Sequence, residues 1–182
     1  GERREGDIHV MEKLRDYAIG QERKKISNAE EHQAIRELLK RRVKNPDWYL
    51  LICEYLDQET LKPMHVFGLD QPSLNRADVF LYVLCDLPLK EKHWKLAVRY
   101  WYALHPTYLL MDDLRDYERD KEQGEENAVL EWGDGAGGFQ RVMERIRTNC
   151  NVLKEVNPRL AEFFLSYEED LLEIIPKTLK RV

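Results

Sequence analysis

The chain has few cysteines and no pattern that would make a disulfide framework. Its 182 residues include three cysteines, an odd number, widely spaced among apolar residues: Cys53, Cys85 and Cys150. This usage is typical of reduced, buried thiols in a cytoplasmic protein, whereas small secreted domains pair closely spaced cysteines. We therefore expect a cytoplasmic location.

The sequence also lacks the features of three other classes of protein. No run of about 18 apolar residues is present, so no integral membrane segment is expected. The net charge of −5 argues against a nucleic-acid partner, because binding to phosphate groups needs a basic surface. The five histidines are scattered and do not show the spacing to cysteine that a zinc site needs.

What the sequence does contain is helical periodicity, beginning near the N-terminus. Apolar residues recur at helical spacing over about Ile8–Lys24, and Asn28 is suited to cap a second helix. Asp47 is suited to cap a short third helix. Residues 60–72 predict a loop or at most one short strand, and Asn75 is suited to cap a further helix.

The second half of the chain predicts one long helix followed by two shorter ones. The long helix runs over about Lys90–Gln123; Pro106 is expected to kink or split it, and Gly124 to stop it. Residues 133–138 hold four glycines and predict a flexible loop. The two later helices are expected over about Phe139–Val156 and Pro158–Ile175.

The most informative segment is an acidic stretch near the end of the long helix. Asp112, Asp116 and Asp120 are spaced four residues apart, which places three carboxylates in one row about a turn apart. Like charges repel at this spacing, so the row is unfavourable unless a cation neutralises it. Carboxylate oxygens suit Mg²⁺, and the row, with Asp113 beside it, predicts a metal site. The alternative is a solvated helix face on which Arg119 pairs with its acidic neighbours.

The segment from Asp112 to Val129 resembles the second metal motif of the class I terpenoid synthase superfamily. In microbial terpene cyclases, acidic or polar residues recur every four positions in this motif, and a basic residue often follows. The matching residues here are Asp112, Asp116, Asp120 and Lys121, followed by Gly124-Glu125 and Asn127-Ala128-Val129. The segment is also similar to the Leu-Arg-Asp-x-x-x-Asp-x-x-x-Gly motif of squalene and phytoene synthases, through Leu114, Arg115, Asp116, Asp120 and Gly124.

The resemblance implies an all-α helical bundle of the isoprenoid synthase type, either shortened or without its N-terminal helices. We expect a single all-helical domain over residues 1–182, as a shortened relative or as the C-terminal portion of a longer synthase. The first aspartate-rich motif of the family, Asp-Asp-x-x-Asp, is not found before Asp112. That departure leaves two functions open: an enzyme that acts on a prenyl diphosphate, and a non-catalytic helical binding module.

For the enzyme, the resemblance implies Mg²⁺-dependent ionisation of a prenyl diphosphate to a carbocation, as in a terpene cyclase or a prenyl transferase. The implied catalytic residues are Asp112, Asp116 and Asp120, and the implied metal ligands are these three with Asp113. The implied diphosphate contacts are Arg115, Lys121 and Arg181. Aromatic residues before the motif are expected either in the substrate cavity or in the core: Trp94, Tyr100, Trp101, Tyr102 and Tyr108. The expected partner is the prenyl diphosphate, and we also allow for a homodimer.

Overall fold

A computed structural model describes residues 42–58 and 60–174, with side chains up to residue 167. In this part of the chain 71% of the residues are helical and none forms a strand, so the predicted all-α class is confirmed. The α-helices, in chain order, are α1 (Pro46–Leu56), α2 (Tyr82–Cys85), α3 (Glu91–Gln123), α4 (Ala128–Glu131), α5 (Gly135–Lys154) and α6 (Pro158–Ile174). Short 3-10 helices span Pro72–Leu74 and Asp78–Leu81.

The contacts between residues divide the chain into two compact units. Within the described residues, unit 1 consists of the chain up to Asp70 together with Arg76–Trp94, and unit 2 of Gln71–Asn75 together with the chain from Lys95. The expected single domain over residues 1–182 stays a prediction. The helices predicted near Ile8–Lys24 and after Asn28 lie outside the described residues.

The core of unit 1 is aromatic. Trp94, at the start of α3, is fully buried and stacks on Trp48 of α1 with their ring centroids 4.8 Å apart. Phe67 meets the same Trp48 ring edge-on at 5.7 Å. Flat rings in stacked and edge-on contact bury a large apolar area and add a specific geometric preference. This cluster fixes α1 against the first turn of α3.

Local details of unit 1 differ from the sequence prediction at two helix starts. The helix α1 begins at Pro46 rather than at a capping Asp47, since proline at a first-turn position needs no amide partner. The helix expected after Asn75 is instead a 3-10 helix that continues into the single turn of α2. Asp78 opens this 3-10 helix, and its buried carboxylate accepts a 2.6 Å hydrogen bond from the hydroxyl of Tyr55, which ties the segment to α1.

The long helix α3 continues through Pro106, so the split that we expected there as an alternative to a kink does not occur. Proline removes one backbone donor from the helix interior. The next residue, Thr107, is buried and donates its hydroxyl to the carbonyl of Ala103 at 2.7 Å. Asn149 of α5 donates to the same hydroxyl at 3.2 Å. These side-chain hydrogen bonds tie α3 to α5 one residue after the proline. No helix in the described part of the chain is long and apolar enough to cross a membrane.

The glycine-rich residues 133–138 do not form the predicted loop, because α5 begins at Gly135. The side chain of Asp134 caps this helix by accepting the amide of Gly135 at 2.7 Å. Gly138 lies against the backbone of α4: a Cβ atom there would be 2.1 Å from the carbonyl oxygen of Val129. Glycine is therefore required at position 138 by the close packing of α4 and α5, and its low helix propensity misled the sequence prediction.

Two glycines of α5 provide a matched test of this packing. We expect Gly138→Ala to lower the free energy of unfolding by about 1–3 kcal/mol, because the added methyl group overlaps backbone atoms. Gly137→Ala should be neutral or stabilising by up to about 1 kcal/mol, because nothing lies within 4 Å of the new methyl group and alanine favours the helix. Chemical denaturation of both variants measures the difference. Equal stabilities would contradict the proposed close packing.

Candidate functional site

The acidic row lies on one helix, as predicted, but its three carboxylates differ in exposure. Asp112 is exposed, Asp116 is partly buried, and Asp120 is only 5% exposed. Each four-residue step advances the direction of the side chain by about 40°, so two steps carry the row from the solvent side towards the interior. Asp113 is also buried, because seven residues separate it from Asp120 and two turns return to nearly the same face. The buried pair is therefore Asp113 and Asp120.

Asn127 connects these two buried aspartates. Its side-chain amide donates to the carboxylate of Asp120 at 2.9 Å and to the backbone carbonyl of Asp113 at 2.8 Å. Its side-chain oxygen accepts the amide of Val129 at 2.9 Å and so caps α4. The carboxylate of Asp113 accepts the amide of Ala128 at 2.8 Å. Hydrogen bonds thus join the last part of α3, from Asp113 to Asp120, to the start of α4 at Asn127 and Ala128.

Arg119 holds the outer part of the row. Its guanidinium group donates to Asp116 at 2.6 Å and to Asp120 at 2.9 Å, and its own side chain is 54% exposed. The hydrogen bond to Asp120, followed by the charges of both aspartates, raises the pKa of Arg119. A cation therefore lies between two carboxylates of the row, on the solvent side.

Lys121, which the resemblance implies as a diphosphate contact, forms an ion pair with Asp134. Its ammonium group donates to Asp134 at 2.8 Å and to the hydroxyl of Tyr117 at 3.0 Å. The hydrogen bond to Asp134, and then the one to Tyr117, raise the pKa of Lys121 above its usual range. The hydrogen bond from Lys121, then one from the hydroxyl of Tyr117 and one from the amide of Gly135, lower the pKa of Asp134 to about 2. Asp134 adopts a φ of +49° with a ψ of +164°, outside the left-handed helical region that aspartate tolerates, so its backbone is strained.

The other residues that were predicted to contact the diphosphate or the substrate are spread along the chain. Arg115 is exposed on α3, and Arg181 lies outside the described residues. Of the aromatic candidates, Trp94 belongs to the core of unit 1, whereas Tyr108 is 52% exposed and meets Phe164 of α6 edge-on. Tyr100, Trp101 and Tyr102 are partly buried.

Sequence reasoning did not assign a site role to three residues that organise this region: Tyr117, Asn127 and Asp134. Asn127 had a signal, since an Asn-x-Val sequence belongs to the motif that the segment resembles. Asp134 had a weaker one, as an aspartate directly before a helix start, but the glycines after it concealed the helix.

The donors of the row fit a magnesium ion only in part. Among the residues that the structure describes, no group of three or more His, Cys, Asp or Glu side chains could hold a metal ion. Mg²⁺ in proteins commonly takes one or two carboxylates and completes its shell with water and phosphate oxygens. Asp116 and Asp120 meet that smaller requirement, because they already converge on the guanidinium of Arg119. Asp113 instead uses its carboxylate to hold the start of α4.

The hydrogen bonds of Asn127 should make it essential to stability. We expect Asn127→Ala to lower the free energy of unfolding by about 2–4 kcal/mol, since the variant loses a helix cap and leaves buried polar groups without their donor. Glu126→Ala, at the exposed neighbouring position, should change stability by less than about 0.5 kcal/mol. Urea denaturation measures both. A cost below about 1 kcal/mol for Asn127→Ala would show that the connection between α3 and α4 does not depend on this side chain.

The lowered pKa of Asp134 predicts how its contribution depends on pH. Asp134→Asn keeps an oxygen to cap α5 and nearly the same shape, but it loses the charge that faces Lys121. Because the folded pKa lies below the usual 3.8, the ionised carboxylate stabilises the fold at neutral pH. That contribution should be lost as the pH falls from about 3.8 through about 2. Unfolding of both proteins across this range tests the prediction, and a constant difference would refute it.

Comparisons with family models, with curated proteins and with solved structures found no match for this chain. The resemblance to terpenoid synthases therefore rests on residues 112–129 alone, and the roles that it implies are taken up below as a proposal.

Proposed function

We propose that this protein binds a prenyl diphosphate together with Mg²⁺ and ionises it to a carbocation, as a terpene cyclase or a prenyl transferase of the class I type does. The observation that carries the proposal is the pair of carboxylates, Asp116 and Asp120, converging on one cation at the solvent side of α3. A site that already binds a guanidinium group between two carboxylates has the charge and the oxygen donors to bind a hard metal ion. The proposal includes the prenyl diphosphate partner, a cytoplasmic location and a homodimer.

In this proposal, each charged residue near the row has a defined task. Asp116 and Asp120 hold the ion once Arg119 moves aside, and the exposed Asp112 adds a carboxylate one turn earlier. When bound, Mg²⁺ would supply positive charge to stabilise a departing diphosphate. Arg119, released from the carboxylates, and Lys121, released from Asp134, then donate to the diphosphate oxygens. Both cations are about half exposed, so neither needs a change of fold to reach a ligand. Arg115 and Arg181 are further proposed donors.

The second candidate is a non-catalytic helical module that binds an isoprenoid or a protein partner. It is favoured by the hydrogen bonds of Asp113 and Asp120, whose carboxylates are used within the fold. A protein that had lost the chemistry would keep these two residues to hold α4.

Thermal melts with ligands test the metal site directly. We expect Mg²⁺ and inorganic diphosphate together to stabilise the protein more than either alone. At a free ligand concentration of one hundred times the dissociation constant, the stabilisation is about 2.7 kcal/mol. Asp116→Asn should abolish this shift, because it removes one of the two charges that face the cation. Glu118→Gln, exposed on another face of α3, should retain it. No shift at millimolar ligand, or a shift that Asp116→Asn leaves unchanged, would reject the site.

Release of diphosphate from farnesyl diphosphate separates the two candidates. If the protein is the enzyme, it should release diphosphate only when Mg²⁺ is present. Asp116→Asn should then reduce the rate of diphosphate release by about a hundredfold or more, as loss of an electrostatic contact in the transition state does. Binding without release would instead identify the non-catalytic module.

A further inference from the structure

A second region of unit 2 has the properties of a ligand site and shares no lining residue with the acidic row. It is a cleft of about 520 Å³ between Gln71, which directly precedes the 3-10 helix Pro72–Leu74, the end of α4 and the face of α5. This volume lies within the range of small-molecule sites. The residues on which its chemistry depends are Gln71, Glu131, Trp132, Arg141, Glu144 and Arg145.

The two arginines of the cleft are held by neutral groups. Arg145 donates to the side-chain oxygen of Gln71 at 2.7 Å, and Arg141 donates to the backbone carbonyl of Trp132. The two arginines are four residues apart on α5 and so lie on one face of the helix. Each guanidinium group has five N–H donors in a planar fork, so several remain for a ligand.

The two glutamates are held in the same way. One carboxylate oxygen of Glu131 accepts the amide of Ser73 at 3.3 Å, and one oxygen of Glu144 accepts the side-chain amide of Gln140 at 3.0 Å. Among the described residues, neither glutamate forms an ion pair with an arginine of the cleft, although both signs of charge line it. The cleft therefore presents two cations and two anions that are positioned without being neutralised.

We propose that this cleft binds a small zwitterion, with a carboxylate and an ammonium group on one carbon as in a free α-amino acid. A ligand with only a negative charge would face the glutamates, and one with only a positive charge would face the arginines. A zwitterion satisfies both sets: the arginine fork matches a carboxylate, and the glutamates accept the ammonium N–H groups. The ring of Trp132 adds a flat apolar wall suited to an aromatic side chain. The proposal does not depend on Mg²⁺ or on a prenyl diphosphate.

Three matched compounds test it: L-phenylalanine, 3-phenylpropionate, which lacks the ammonium group, and 2-phenylethylamine, which lacks the carboxylate. Calorimetric titration into the whole chain, without metal, should show L-phenylalanine binding at least about tenfold more tightly than either of the others. Equal binding of 3-phenylpropionate would show a simple anion site, and absence of L-phenylalanine binding at millimolar concentration would show a solvated helix face. Either result would overturn the proposal.

Variants assign the binding to the cleft. Arg145→Gln and Glu144→Gln should each weaken L-phenylalanine binding by about tenfold or more, because each removes one charge of the required pair. Arg159→Gln, exposed on α6 and outside the lining, is the matched control and should bind as the parent does. Glu144 is exposed, so its variant should fold even if Arg145→Gln does not. Unchanged binding by Glu144→Gln would overturn the assignment.

Discussion

The carboxylate of Asp120 is carried into the interior of unit 2, and the chain around it is arranged to satisfy that charge. A buried carboxylate is costly unless it is paired and hydrogen-bonded. Arg119 supplies the positive charge from the solvent side, and Asn127 supplies a donor from the interior side. Asn127 can reach Asp120 only because the chain reverses at Gly124, where φ is +67° and the amide of Glu125 returns to the carbonyl of Asp120 at 2.9 Å.

The need to satisfy the buried charge of Asp120 determines the path of the chain as far as α5. Asn127, placed by its bonds to α3, caps α4, and α4 brings the carbonyl of Val129 against Gly138. The backbone amide of Asp134 donates to the same carbonyl at 2.9 Å. This bond positions Asp134, whose side chain both caps α5 and pairs with Lys121. The end of α3 and the start of α5 are thus coupled through the eleven residues 124–134, which combine these polar contacts with the fully buried Ala128 and Val129.

Features that depend on local chemistry could be predicted from the sequence, and those that depend on tertiary neighbours could not. The long helix ending at Gln123 was predicted correctly, because apolar spacing and Gly124 are local signals. The start of α5 was predicted wrongly, because the reason for Gly138 is the backbone of α4 and no local pattern shows it. The same limit applies to the aspartates. Repulsion along the row and its relief by Arg119 are local arguments, and pairing with Arg119 was the alternative that the sequence left open. The contact of Asn127 with Asp120 is not local, because it forms only when the chain turns back.

The two charged regions of unit 2 differ in what their charges do for the fold. At the end of α3, Asp116, Asp120 and Lys121 each face an opposite charge, so a ligand must displace an existing ion pair and gains only the difference. The Lys121–Asp134 pair is exposed and individually weak, whereas the buried Asp120 needs another cation in place of Arg119, and a divalent ion would supply that charge. In the cleft, Arg145 and Glu144 are oriented by neutral amides, so a ligand of matching charge displaces no ion pair. The first arrangement favours a highly charged ligand, whereas the second lets a net-neutral zwitterion bind, because preorganised groups lose little entropy on binding.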